Sequence, residues 1–222
     1  MPDIVRVVVM GDEGVGKSAL ILRLCFDHFP GTHEATADDS ILKTTVVDGQ
    51  ECVLDVIDTA GRQQYGTLIE QWIRQAQVFV LVFDVASRKS FSHIKEYYDQ
   101  VREIKQAIGE DSTVEPAMYP GPPYYAPLIV VGNKNDLKRE RAVKQTEGAR
   151  LARKLDGEYV ETSARNNVNV EEAFNKAVRK LRVRQDENER SWLSKDEGAK
   201  KTPKRFRPFH RRHPRSCRCV MF

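Results

Sequence analysis

The sequence predicts an α/β fold built on a mostly parallel sheet, and three observations predict it. Short apolar runs alternate with segments of helical period along most of the 222 residues. A glycine-rich stretch, Gly11 to Ser18, lies between the first apolar run and an apolar helix start. A single Asp-Gly turn, Asp48-Gly49, marks one hairpin and so one antiparallel edge.

The elements follow in order. Val5 to Met10 reads as a strand; the preceding Met1-Pro2-Asp3 carries no basic flank, so Ile4 to Met10 is not expected to be a signal peptide. Ile41 to Val47 pairs with Val53 to Ile57 across Asp48-Gly49. Val78 to Phe83 and Leu128 to Val131 are nearly continuous apolar runs, as strands covered on both faces should be. Tyr159 to Thr162 supplies the last strand. Phe91, Ile94, Tyr98, Val101, Ile104 and Ile108 recur at helical spacing, and so do Val170, Ala173, Phe174, Ala177, Val178 and Leu181. Both stripes read as core faces. Between them, Glu110 to Pro127 holds five prolines and three tyrosines and reads as an extended loop, either a docking surface or a solvated insertion. Apolar periodicity stops near Arg184, so the folded domain is expected over residues 1–185 and a disordered tail over 186–222. There are no internal repeats.

Composition sets outer limits. Hydrophobic residues make up 40% and charged residues 31%, a globular mixture. No apolar run approaches the roughly 20 residues that cross a bilayer, and Pro2 excludes the N-terminal glycine that myristoylation needs. Cys25, Cys52, Cys217 and Cys219 are no disulfide framework and suit a reducing compartment. The net charge is +4, yet Lys200 to Arg218 alone holds nine basic residues and no acid, which leaves −5 in residues 1–199. The tail, not the body, is therefore expected to meet an anionic surface.

Gly11-Asp12-Glu13-Gly14-Val15-Gly16-Lys17-Ser18 matches G-x-x-x-x-G-K-[ST]. Glycines let the backbone curl so that several N–H groups converge on an anion at a helix N-terminus. Lys17 brings a mobile positive charge to the β- and γ-phosphates, and Ser18 a hydroxyl oxygen for Mg²⁺. Asn133-Lys134-Asn135-Asp136 follows the strand ending at Val131. One carboxylate there, Asp136, accepts from the N1–H and 2-amino group that guanine presents side by side and adenine does not. Asp58-Thr59-Ala60-Gly61 ends another strand, where an acid can hold Mg²⁺ through water and Gly61 can bring its N–H to a γ-phosphate. Glu161-Thr162-Ser163-Ala164-Arg165 ends the last strand and is placed to back the base; alone it is a weak signal.

In order and spacing these four motifs resemble the Ras family of small GTPases, over residues 4–184 apart from the Pro/Tyr insertion. The resemblance implies a P-loop NTPase G domain with a six-stranded, mostly parallel sheet and five flanking helices. It implies a switch that binds GTP or GDP with Mg²⁺ and hydrolyses GTP by in-line attack of water, with Lys17, Thr36, Gly61 and Arg62 at the catalytic positions. Nucleotide contacts would run from Gly11 through Ala19 and include Phe29, Thr36, Asp58, Gly61, Asn133, Lys134, Asp136, Ser163, Ala164 and Arg165. Ser18 and Thr36 would bind the metal directly and Asp58 through water. Phe29 would lie against the guanine; simple core packing is its alternative. Effectors would dock at switch I, Thr36 to Ser40, and the partners would include an exchange factor and an activating protein acting on a monomer. A P-loop kinase would leave Asn133 to Asp136 and the C-terminal cysteines unexplained.

Two positions depart from the family pattern. Glu13 stands where Ras has glycine, and Arg62 where the family usually has a glutamine that orients the attacking water. Arginine only donates hydrogen bonds, so slow intrinsic hydrolysis is expected, with Glu13 hindering an activator's arginine. Glu13 and Arg62 either pair across the γ-phosphate site or remain two solvated side chains. A GTP-binding scaffold with negligible hydrolysis is the rival reading.

The chain ends Cys217-Arg218-Cys219-Val220-Met221-Phe222, and its last four residues fit a C-a-a-X box, Phe favouring geranylgeranyl over farnesyl. A prenylated Cys219 behind a polybasic run gives the two signals that durable anchoring needs, and Cys217 can add a palmitoyl group. The cytoplasmic face of a membrane, the plasma membrane above others, is the expected location. A basic arm for nucleic acid is the competing reading, and no nucleic-acid partner is expected.

Overall fold

The computed structural model describes residues 3–30, 40–59, 66–110 and 126–198. Along the chain run β1 (Asp3–Gly11), α1 (Lys17–Phe26), β2 (Ser40–Val47), β3 (Gln50–Asp58), α2 (Gly66–Gln75) and β4 (Val78–Asp84). They are followed by α3 (Arg88–Glu110), β5 (Leu128–Asn133), α4 (Gln145–Lys154), β6 (Glu158–Glu161) and α5 (Val170–Gly198). The six strands form one sheet in the order β2-β3-β1-β4-β5-β6. Only β2 and β3 are antiparallel; the other four pairings are parallel. The α/β class, the six strands and the five helices expected from sequence are all present.

The hairpin between β2 and β3 closes as its residues require. Asp48 and Gly49 both take positive φ, 52° and 78°, and Val47 pairs with Gln50 across them. That is the twist a two-residue hairpin needs.

The sheet separates two apolar layers. Successive residues of β1 alternate between them, Val7 and Val9 with α1 and α5, Val8 and Met10 with α2, α3 and α4. Phe174, Val178 and Leu54 fill the first layer; Phe79, Phe83 and Ile94 fill the second. Each large apolar side chain so buried contributes about 1.5–3 kcal/mol. With helices on both faces, the loops at the carboxyl ends of the parallel strands are left to carry chemistry.

Three details depart from the sequence reading. In α3 the tyrosine on the buried face is Tyr97, 7% exposed, while Tyr98 is only partly buried. Both lie three or four residues from Ile94 and Val101, so spacing does not separate them. The second departure is the end of α5, which runs on to Gly198, past the boundary expected at residue 185. Packing does stop there, with Leu181 buried and Val183 55% exposed. The helix continues because Arg, Gln, Glu and Lys are good helix formers, and Arg184 is tied to Asp156 at 2.5 Å. Residue 185 thus marks the end of the core face, not of the helix. Third, α2 and α4 carried no apolar stripe long enough to predict. The expected loop from Glu110 to Pro127 falls almost wholly outside the described residues, and so does the cysteine-bearing end of the tail.

Candidate functional site

The loops after β1, β5 and β6 meet at the carboxyl edge of the sheet, beside the end of β3. The first follows Gly11. A Cβ at this position would run into the carbonyl oxygen of Val82 on β4, so only glycine lets the chain turn off the strand there. The turn ends at Gly16, which caps α1 with φ 96° and ψ 31°. A Cβ on Gly16 would lie 2.5 Å from Asn133 Nδ2. Chain direction and close approach therefore both require the glycines that the motif places here.

Lys17 opens α1 and is 6% exposed. Its ammonium donates to the carbonyl oxygens of Gly11 at 3.0 Å and Asp12 at 2.9 Å, curving over the loop it follows. Burial pulls its pKa below the ordinary lysine value, and the charges of Asp58, Asp12 and Glu13 oppose that pull. Ser18 is half-buried one residue on, Ala19 packs partly against the core, and the Glu13 side chain is exposed. Asp58 ends β3 at 2% exposure, and Thr59 fixes that end by donating to Val9 O at 2.7 Å.

The loop after β5 reaches back to the glycine-rich turn. Asn133, 1% exposed, donates from Nδ2 to Val15 O at 2.9 Å. Its Oδ1 accepts from Thr162 Oγ1 at 3.1 Å and from Ala164 N at 3.3 Å. Lys134 donates to Gly14 O at 2.7 Å and pairs with Asp84 at 2.8 Å. Asp136 instead accepts from Ser163 Oγ at 2.6 Å, and Ser163 Oγ accepts from Asn166 N at 3.0 Å. Within the N-K-x-D motif the first two side chains thus join loops together, and the third is oriented by the last motif of the chain.

A profile of the Ras family matches residues 6–183. The chain belongs to the Ras family. It is 40% identical over 235 residues to Ras-like protein B of Aspergillus fumigatus, covering 97% of this chain and 98% of that protein. Protein ras-2 of Neurospora crassa is 43% identical over 192 residues, covering 83% and 82%. Ras-like protein 1 of Pyricularia oryzae is also 43% identical, over 195 residues, covering 85% and 79%. Membership makes the chain a small GTPase, a GTP-hydrolysing enzyme that acts as a switch and takes GTP and GDP. Proteins of this family work with effectors, exchange factors and activating proteins.

In this Ras-family chain the remaining predicted residues divide cleanly. Phe29 is 38% exposed and so is not a core residue. It follows Asp27, whose Oδ1 accepts from Asn167 Nδ2 at 3.1 Å, while Arg23 donates to the carbonyl oxygens of Ala164 at 3.0 Å and Arg165 at 3.3 Å. The end of α1 is thereby fastened to the loop that holds Ser163, Ala164 and Arg165. Arg165 itself is exposed. Thr36, Gly61 and Arg62 lie outside the described residues, and with them the Glu13–Arg62 pair.

The donor set fits a magnesium ion shared with phosphate. Among the described residues no group of three or more His, Cys, Asp or Glu is gathered. Mg²⁺ needs none, since it commonly takes one or two protein oxygens with phosphates and waters. Ser18 and buried Asp58 are oxygen donors of that kind on the elements beside the glycine-rich turn.

Sequence reasoning missed four contributors: Asp84, which pairs with Lys134; Thr59; and His93 and Tyr97, which reach the Asp12 side chain from α3. Asp84 is signalled weakly, as an acid closing an apolar strand. The others act through contacts with residues up to 85 positions away, and no local pattern carries that.

Proposed function

We propose that this chain holds GTP or GDP with Mg²⁺ between the Gly11–Ser18 loop and Asp136, and that it hydrolyses GTP slowly. The observation that carries the reading is the link between those two ends. Asn133 and Lys134 donate to the carbonyls of Val15 and Gly14, so a phosphate cradle and a guanine-reading carboxylate share one frame.

Within that frame Lys17 supplies positive charge to the β- and γ-phosphates, and Ser18 and Thr36 offer oxygens to the metal. Asp58 would hold the metal through water. Asp136 accepts the paired donors of guanine, with Ser163 holding its carboxylate in place and Ala164 and Arg165 lining the base side. Phe29 covers the base. Magnesium, when held there, would supply positive charge against the transferred phosphoryl group. Thr36 and Gly61 respond to the γ-phosphate, which presents switch I, Thr36 to Ser40, to effectors. Arg62 cannot accept a proton or orient water as glutamine does, and this supports a low intrinsic rate. The tail from residue 186, prenylated at Cys219 and with Cys217 available for palmitoylation, holds the protein at the cytoplasmic face of a membrane.

Calorimetry with Mg²⁺ tests the nucleotide reading. Guanosine triphosphate should bind far more tightly than adenosine triphosphate, and Asp136→Ala should remove most of the difference. Equal affinity for the two in the unaltered chain would end the proposal. Single-turnover hydrolysis by Arg62→Gln and Glu13→Gly then tests the slow rate; neither variant turning over faster would refute impaired hydrolysis. Binding with no turnover at all would favour the occupancy scaffold.

A further inference from the structure

Helix α3 reaches the glycine-rich loop through two side chains that nucleotide binding does not itself use. His93 Nδ1 lies 2.6 Å from Asp12 Oδ2, and the Tyr97 hydroxyl donates to Asp12 Oδ1 at 2.9 Å. The side chains of His93 and Asp12 are 16% and 17% exposed, and Tyr97 belongs to the core layer beneath α3. A carboxylate only accepts hydrogen bonds, so the imidazole carries its proton on Nδ1, facing Asp12. Bonds of this kind to an ionised oxygen are short and strong.

The backbone of the same aspartate faces the other way. Its carbonyl oxygen accepts from Lys17 Nζ at 2.9 Å. Asp12 is thus held by α3 through its side chain and by the phosphate-site lysine through its main chain. The loop around it turns at Gly11, Gly14 and Gly16, which all take positive φ. A cradle of backbone N–H groups gains affinity when its orientation is fixed before the anion arrives. A carboxylate left unrestrained there would also be a movable negative charge beside a triphosphate.

We propose that His93 and Tyr97 are positioning residues for nucleotide binding, which clamp the Asp12 carboxylate and so hold the phosphate loop in register with Lys17. The proposal rests on the reading of Gly11–Ser18 as a phosphate cradle. A contact that only glued α3 to the sheet would stabilise the fold without acting through Asp12, and the two roles separate in a double-mutant cycle.

The test uses the full chain loaded with N-methylanthraniloyl-GDP and chased with excess unlabelled GDP. His93→Ala and Tyr97→Phe should each speed release of the label about three- to tenfold, the range of one ordinary net hydrogen bond. His93→Asn, which keeps a donor near the Nδ1 position, should restore the slower rate. In an Asp12→Ala background, His93→Ala should change nothing further. Unchanged release in both single variants overturns the proposal. So does equal acceleration in the Asp12→Ala background, or a His93→Asn variant as fast as the alanine. An unaltered chain that retains no labelled GDP overturns the nucleotide reading itself, a distinct outcome from retention with unchanged rates.

Discussion

Lys105 offers a sharp check on the physical account of this fold. It lies on α3 at 4% exposure, and its ammonium donates to the carbonyl oxygens of Ala76 at 2.6 Å and Arg74 at 3.1 Å, where α2 ends. It also sits 5.6 Å from the centre of the Phe79 ring. Burial pulls its pKa from 10.5 down to about 7. The unfolded chain keeps that proton up to about pH 10.4, so between pH 7 and 10 the unfolded state binds more protons than the folded one. Stability must then rise with pH, by at most about 1.4 kcal/mol per unit from this group. Lys105→Met fills the same space without titrating. It leaves two carbonyls without their donor, which costs about 1–3 kcal/mol each where they are buried. The assay is urea unfolding of both proteins at pH 7, 8 and 9 with GDP at fixed excess, so that ligand linkage is held constant. The stability of the lysine form relative to the methionine form should increase by about 1–3 kcal/mol across the series. Differences that stay constant with pH would refute the burial argument. Differences that fall would mean that the carbonyls and the ring hold the charged form more strongly than desolvation opposes it.

Two further outcomes follow from the site. Gly16→Ala forces a Cβ toward Asn133 Nδ2 at a backbone angle that L-residues rarely adopt, so it should weaken GDP binding at least about tenfold, equivalent to ~1.4 kcal/mol; calorimetry reads this directly. Asn133→Ala removes three hydrogen bonds from a residue 1% exposed. It should lower stability by about 3–5 kcal/mol and the thermal midpoint by roughly 10 °C, and a midpoint within 2 °C of the parent would contradict the bonding described here.

Much of this was legible before the structure, for physical reasons that can be named. Val78 to Phe83 and Leu128 to Val131 are buried on both faces, so their sequence shows unbroken apolar character. Gly11 and Gly16 answer to steric demands so tight that few other residues would serve, and Gly14 to a positive φ. By contrast α4 carries Gly148 in its interior, where a Cβ would strike the ring of Tyr159; a packing requirement there erased the helical signal. Tyr97 and Tyr98 satisfy the same spacing, and only the fold decides which one reaches Asp12. The sequence places Asn133 and Lys134 among the nucleotide contacts, and in the structure their side chains turn toward the main chain of the glycine-rich loop. That inward turn depends on how two loops 120 residues apart meet, which no local pattern encodes.

The inward turn has a mechanical consequence. Because Val15 and Gly14 are held by side chains from the loop that carries Asp136, the two loops are tied directly to each other. A push on either loop is therefore carried to the other through the Asn133 and Lys134 bonds.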